Sequence, residues 1–351
     1  MQNQQPNSIN LGLGELQFPT PRPIVEITKK VVETERITYT KNAGLQELRK
    51  SVAESYGSNS LKSVCVCCGA QEALFVSMAT YVDVGDKVLI SNPTFLAYKS
   101  LTHLLGGKVE TFNLNKKFKL DKNEFELAVK KDIKVVVLNS PSNPTGVSFM
   151  EDEIDFIVKL TKQLGIILIV DEIYIELFKG KKQKSFFGKA DNVLVVGGLS
   201  KSHLMTGYRI GWVVSSNIKL VKPIIPTHQY LTTCAPYISQ KVAQEVLSTP
   251  FIYEYKDIMK TNLQKLSELL KNYGKKFQIL KSDSYPFAFV KVSTDDSLFS
   301  KKLLSYGVTV IPGSAFGSLG KGYLRISLAV EQKLFEQALK RIKKFINNEI
   351  V

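Results

Sequence analysis

The chain has 351 residues, 44% hydrophobic and 23% charged, a balance that buries a real core in two domains or one large α/β unit. Its 47 lysines and arginines against 32 acids give a net charge of +15. They are scattered in short runs such as Lys179, Lys181, Lys182 and Lys184, or Lys340, Arg341, Lys343 and Lys344, which read as solvated faces and not as a nucleic-acid stripe. Apolar runs such as 166–170 are far short of the roughly 20 residues that span a bilayer, and no charged-then-apolar leader opens the chain. A cytoplasmic protein with no membrane or nucleic-acid partner is expected.

In chain order, the first thirty residues carry Pro19, Pro21 and Pro23 and read as an extended segment able to cross onto another domain. Apolar, β-rich runs follow at 64–68, 87–90, 134–138, 165–170, 193–196 and 212–214, separated by helical stretches. Continuous rather than alternating apolar character marks strands covered on both faces, so the helices sandwich a mostly parallel sheet. The first run holds Cys65, Cys67 and Cys68. Zinc sites space their ligands more widely and need a second pair elsewhere, so these cysteines read as small hydrophobes and no metal is expected. Without a disulfide framework, a reducing compartment fits. Ser148, with Glu151 three residues on, has the capping-box pattern ahead of Ile154, Ile157 and Val158. After about Pro236 come long amphipathic helices over roughly 238–272, a strand-like run at 285–292 and a closing helix from Glu331. The expected fold is α/β: a large domain, 31–236, and a smaller α+β domain made of 1–30 and 237–351.

Four segments carry chemistry. At Cys68, Gly69, Ala70 and Gln71 a strand ends in small residues and a helix begins, which lets a phosphate approach unpaired N–H groups. After the 134–138 strand, the Asn143, Pro144, Thr145, Gly146 turn holds Asn143 stiffly at the ligand-binding edge of a parallel sheet. Asp171 and Glu172 stand at the tip of a very apolar strand, where a carboxylate needs a partner or a cap, and a protonated pyridine nitrogen is one such partner. Ser200 and Lys201 sit at a strand-to-loop junction, eight residues before Arg209 in a Gly-flanked turn. Lysine forms Schiff bases, and arginine's fork suits a phosphate.

Together, Asn-Pro-Thr-Gly, Asp-Glu-Ile-Tyr and Ser-Lys followed by Gly-Tyr-Arg-Ile-Gly resemble the ordered signature of the aspartate-aminotransferase-like, fold-type-I pyridoxal-phosphate enzymes. The intervals of 28 residues from Asn143 to Asp171, 30 on to Lys201 and 8 to Arg209 suit that family. The likeness extends from Gly14 and Glu15 to Gly313, Ser314 and the Tyr323 to Ser327 stretch. It implies pyridoxal 5'-phosphate as cofactor, held as a Schiff base by Lys201, which also shuttles the substrate proton. It pairs Asp171 with the ring nitrogen, and Tyr174 and Asn143 with the ring's phenolic oxygen. Arg209, Ser200 and the backbone of Gly69, Ala70 and Gln71 would hold the phosphate, with Phe95 stacked on the ring. Arg325 matches the arginine that grips the substrate carboxylate, with Gly14 and Asn143 beside it. Tyr39 matches a tyrosine that reaches the neighbouring subunit's phosphate, implying a homodimer.

Two departures from the pattern stand out. Gly198 occupies a position where many relatives carry a hydroxyl, and no second substrate arginine is evident, leaving Arg22, Lys99 and His228 as candidates for the distal substrate group. The implied reaction is ping-pong transfer of an amino group between an L-amino acid and a 2-oxo acid. The alternatives are β-elimination or decarboxylation on the same fold and, more remotely, a nucleic-acid-binding regulator.

Overall fold

The computed structural model describes residues 7–180, 184–249 and 254–350; Lys181 and Lys182 of the basic run lie outside them. After a two-residue strand, β1 (Ile9–Asn10), the chain builds a seven-stranded sheet. Its strands are β2 (Val64–Cys67), β3 (Lys87–Asn92), β4 (Lys108–Asn113), β5 (Ile133–Asn139), β6 (Ile167–Asp171), β7 (Val193–Gly198) and β8 (Gly211–Val214). The order across the sheet is β2-β8-β7-β6-β5-β3-β4, with β8 antiparallel to both neighbours and the other pairings parallel.

Successive side chains of a strand point to opposite faces, and here both faces are covered. Val136, Leu138, Leu168, Val170 and Val195 pack with helices Arg22–Thr34, Gln46–Ser55, Glu151–Gln163 and Tyr237–Leu247. Val135, Val137, Ile169, Leu194 and Val196 face helices Ala70–Tyr81, Leu96–Leu104 and Ile224–Thr232. Each such side chain contributes roughly 1.5–3 kcal/mol of burial, which is why the sequence reads as uninterrupted apolar runs. The mostly parallel sheet flanked by helices is the α/β fold expected.

Two local expectations need correction, and one strand has no counterpart among the apolar runs. Residues 22–34 are helical, not extended: Pro23 falls in the first turn, where its missing N–H costs nothing. Strand β4 went unread because it is an edge strand whose mostly exposed pattern, with Lys108 and Glu110, lacks a continuous apolar run. The box ahead of helix Glu151–Gln163 uses Met150 N–H and Glu153 Oε2, 2.7 Å apart, not Ser148 and Glu151. Ser148 is displaced from that role because its N–H donates to Asp283 Oδ2 at 2.9 Å.

The second sheet contains β9 (Phe277–Ile279) and β10 (Phe287–Val292). Beyond helix Asp296–Ser305, β11 (Val308–Thr309) pairs in parallel with β1, so the chain's start does cross onto this part. Strands β12 (Ile311–Pro312) and β13 (Tyr323–Ser327) complete an antiparallel sheet ordered β12-β13-β10-β9. Helices Tyr255–Lys271 and Gln332–Glu349 join its core through Met259, Leu266, Phe335, Ile342 and Phe345. Among the described residues no helix is long and apolar enough to cross a membrane.

Candidate active site

Strand β2 runs into the N-terminus of helix Ala70–Tyr81 through Gly69, whose φ of +84° favours glycine. A Cβ at Gly69 would lie 2.6 Å from Arg209 Nη2, and one at Gly211 would lie 2.5 Å from Ala70 N. Glycines therefore let Arg209 and β8 close onto the helix start. Arg209 adopts left-handed φ 50°, ψ 59°. Its guanidinium donates to Thr206 O at 3.0 Å and Cys68 O at 3.4 Å. The first N–H groups of the helix have no intrahelical acceptor, so this corner is electropositive.

The C-terminal ends of β5, β6 and β7 supply the next residues, in register at Asn139 with Asp171 and Asp171 with Val196. Asp171 is buried, accepting from Tyr98 Oη at 2.9 Å and Ile173 N at 3.0 Å. Burial raises its pKa to about 6, against the pull of those two donors and of Lys201. Lys201 lies in the short helix Leu199–Ser202 after β7, and its side-chain amine has no hydrogen-bond or ion-pair partner among the described residues. Burial lowers its pKa to about 8; Glu15 opposes the shift, while Arg209 and Arg325 reinforce it. Burial also raises the pKa of Tyr174.

On the opposite wall, Arg325 of β13 is buried between the rings of Phe287 and Phe316, its guanidinium carbon 4.4 and 4.9 Å from their centroids. It donates to Asn143 Oδ1 at 2.8 Å and to Gly12 O, leaving Nε without a partner. Asn143 is fixed in turn by its N–H donating to Asn139 Oδ1 at 2.7 Å.

One cavity of about 360 Å³ gathers Gly14, Ala70, Gln71, Phe95, Asn143, Asp171, Tyr174, Ser200, Lys201, Arg209 and Arg325. Gly69 lies against Arg209 just behind this wall. Tyr39 is 82% exposed and does not line its own chain's cavity. Of the distal-group candidates, Arg22, Lys99 and His228 all stay away from the lining; His228 is buried behind helix Ala70–Tyr81, against Glu72. Sequence reasoning assigns no role to Tyr98, which holds Asp171, or to Phe316, which stacks on Arg325; Phe316 stands in the Gly313–Ser314 stretch that carries the resemblance, whereas Tyr98 stands in no motif. A Cβ at Gly198 would lie 2.9 Å from Ile210 O, so the close approach of the chain leading into β8 leaves no room there for the hydroxyl side chain that the family pattern leads us to expect. The cysteine run is also less isolated than it reads, because the fold brings ligand atoms of Glu72 and His228 within 4.8 Å of Cys67.

A buried amine sharing one cavity with an electropositive helix start and a buried carboxylate, at the ligand edge of an α/β sheet, suits capture of a carbonyl compound that carries an anionic group. The chain matches the class I and II aminotransferases over residues 6–342 and belongs to that family. A probable aspartate aminotransferase of Methanocaldococcus jannaschii is 33% identical over 354 residues, 95% of this chain and 92% of that protein. The crystal structure of the Thermotoga maritima aspartate aminotransferase matches with a TM-score of 0.90 at 32% identity, covering 97% of this chain and 92% of that one. An aromatic aminotransferase from Pyrococcus horikoshii matches at 0.91 and 27% identity, covering 98% and 96%. The protein is a pyridoxal-phosphate-dependent aminotransferase, and neither elimination, decarboxylation nor nucleic-acid regulation is favoured. The residues fit the cofactor: the helix start and Arg209 suit a phosphate, the unpaired Lys201 amine suits an aldehyde, and buried Asp171 suits a ring cation.

Proposed function

We propose that the chain moves an amino group from an L-amino acid to a 2-oxo acid in two half-reactions, using the residues of this one cavity. The observation that carries the reading is the convergence of Lys201, Asp171 and Arg209 on a single space. Pyridoxal phosphate, when bound, supplies an aldehyde that captures amines and a ring that accepts the electron pair left when the Cα–H bond breaks.

Arg209, Ser200 and the N–H groups of Gly69, Ala70 and Gln71 hold the phosphate, and Phe95 stacks on the ring. Asp171 keeps the ring nitrogen protonated, which restores to the carboxylate the charge that burial disfavours. Tyr174 and Asn143 donate to the phenolic oxygen. Arg325 grips the substrate α-carboxylate, with Gly14 alongside, its fork held ready by Asn143 and Gly12. The Lys201 amine, low in pKa and freed when an incoming amine takes its place, would accept the proton from the substrate Cα and later give it up again.

The working unit is a homodimer in which Tyr39 enters the neighbouring site. Ile37, Tyr39, Tyr230 and Leu231 are large exposed hydrophobics, and Asn42 donates to Thr233 O at 3.0 Å, joining the two segments that carry them. We propose two units close to the expected 31–236 and 1–30 with 237–351, but with the boundaries moved outward so that helices Arg22–Thr34 and Tyr237–Leu247, which pack on the larger core, count with the large unit. Four free cysteines support a cytoplasmic setting.

Lys201→Ala is expected to abolish transamination and the visible absorbance pyridoxal phosphate acquires on bonding a protein amine. Normal turnover by that variant would sink the reading.

A further inference from the structure

Behind the phosphate turn lies a polar cluster that these roles do not use. His228, on helix Ile224–Thr232, is fully buried. Its Nε2 lies 3.2 Å from Glu72 Oε2 and its Nδ1 3.0 Å from Asn42 O. A carboxylate and a carbonyl both only accept, so a ring satisfied at both nitrogens carries two protons and a positive charge. Burial opposes that proton, but hydrogen bonds with Cys68 and Glu72 and the Glu72 charge outweigh it, pushing the pKa up to about 10.

Glu72 sits in the first turn of helix Ala70–Tyr81, where its carboxylate also accepts the N–H of Cys68. That bond shapes the turn, but the same carboxylate brings a negative charge beside the N–H groups that must receive a phosphate of charge near −2. The cation on His228 cancels it without giving up the Cys68 bond.

We propose that His228 is a positioning residue for the cofactor phosphate: as a buried cation it neutralises Glu72 and ties the 68–71 turn to Asn42, keeping the helix start receptive to an anion. The link runs on to the exposed segment bearing Tyr39, three residues before Asn42. The proposal rests on the reading of this turn as the phosphate site.

The test compares the dissociation constants of the apoprotein for pyridoxal phosphate and for pyridoxal, which lacks the phosphate, by absorbance titration. His228→Asn is expected to weaken pyridoxal phosphate roughly 10- to 100-fold and to change pyridoxal less than about threefold, since the lost charge acts on the phosphate alone. Glu72→Gln combined with His228→Asn is expected to recover pyridoxal phosphate binding to within about threefold of the parent, because no uncompensated carboxylate remains. Equal losses for both ligands, or no recovery in the double variant, would overturn the proposal. So would stoichiometric zinc uptake that His228→Asn abolishes, because a metal needs the Nε2 lone pair. Arg209→Ala separates this failure from that of the underlying reading: if it too leaves the two ligands undistinguished, the turn is not the phosphate site.

Discussion

Burial, reinforced by Arg209 and Arg325, makes the Lys201 amine give up its proton more easily than one in water, a property that suits the proposed roles of nucleophile and proton carrier. With a pKa near 8, its neutral fraction rises about tenfold per pH unit below that value and then levels. Cofactor uptake by the apoprotein, followed by absorbance, should show that profile; a rise continuing to pH 10 would mean a solvated amine. The same shift sets a stability trend. Between pH 8 and 10.5 the unfolded chain holds a proton on this amine that the folded one lacks, so its contribution to apoprotein stability improves as pH rises through that window. Arg325 makes a different demand, for shape as well as charge. Its two Nη atoms are committed to Asn143 and Gly12 and its plane lies between two rings. Arg325→Lys keeps the charge and loses the fork, so kcat/KM for amino acids should fall roughly 10- to 100-fold, mainly through KM.

At the scale of elements, parallel strands deliver their carboxyl ends to one edge, so Asn139, Asp171 and Gly198 end β5, β6 and β7 side by side while 59 residues of chain separate the outer two. The turn carrying Asn143 is braced from the second sheet's side. Asp283 accepts from Ser148 N and pairs with Lys119 at 2.9 Å, and its own N–H donates to Gly146 O. Asp283→Ala should therefore cost about 1–3 kcal/mol, read as a lower urea midpoint at unchanged slope. This brace was illegible in the sequence, since Asp283 stands 135 residues from Ser148 in a stretch without a motif. The strands with continuous apolar runs were legible because burial on both faces leaves a one-dimensional mark. Strand β4 was not, because an edge strand meets solvent and can carry lysine and glutamate. The helix at 22–34 hid behind its prolines, which break helices everywhere except in the first turn.

For the molecule as a whole, the cavity joins residues from both sheets: Lys201, Asp171 and Arg209 from the seven-stranded one, Arg325 from the four-stranded one. Tyr39 stands apart, and in the proposed homodimer a second copy of the chain would give it a destination. Sedimentation should find a species of twice 39.3 kDa. Tyr39→Phe should weaken cofactor affinity although the residue does not line its own cavity. A monomer with full activity, or an unchanged affinity in the variant, would count against the shared site.

The sequence by itself determined the family, the sheet strands with two buried faces and many of the residues that gather around one cavity, because each motif is short, local and bound to a strand end. Only the tertiary structure decided which buried groups support those residues. Tyr98 against Asp171, Phe316 over Arg325 and His228 against Glu72 are contacts between residues 73, 9 and 156 positions apart. A side chain's partner across such distances depends on how the helices and sheets pack, and nothing in the local pattern of residues records it.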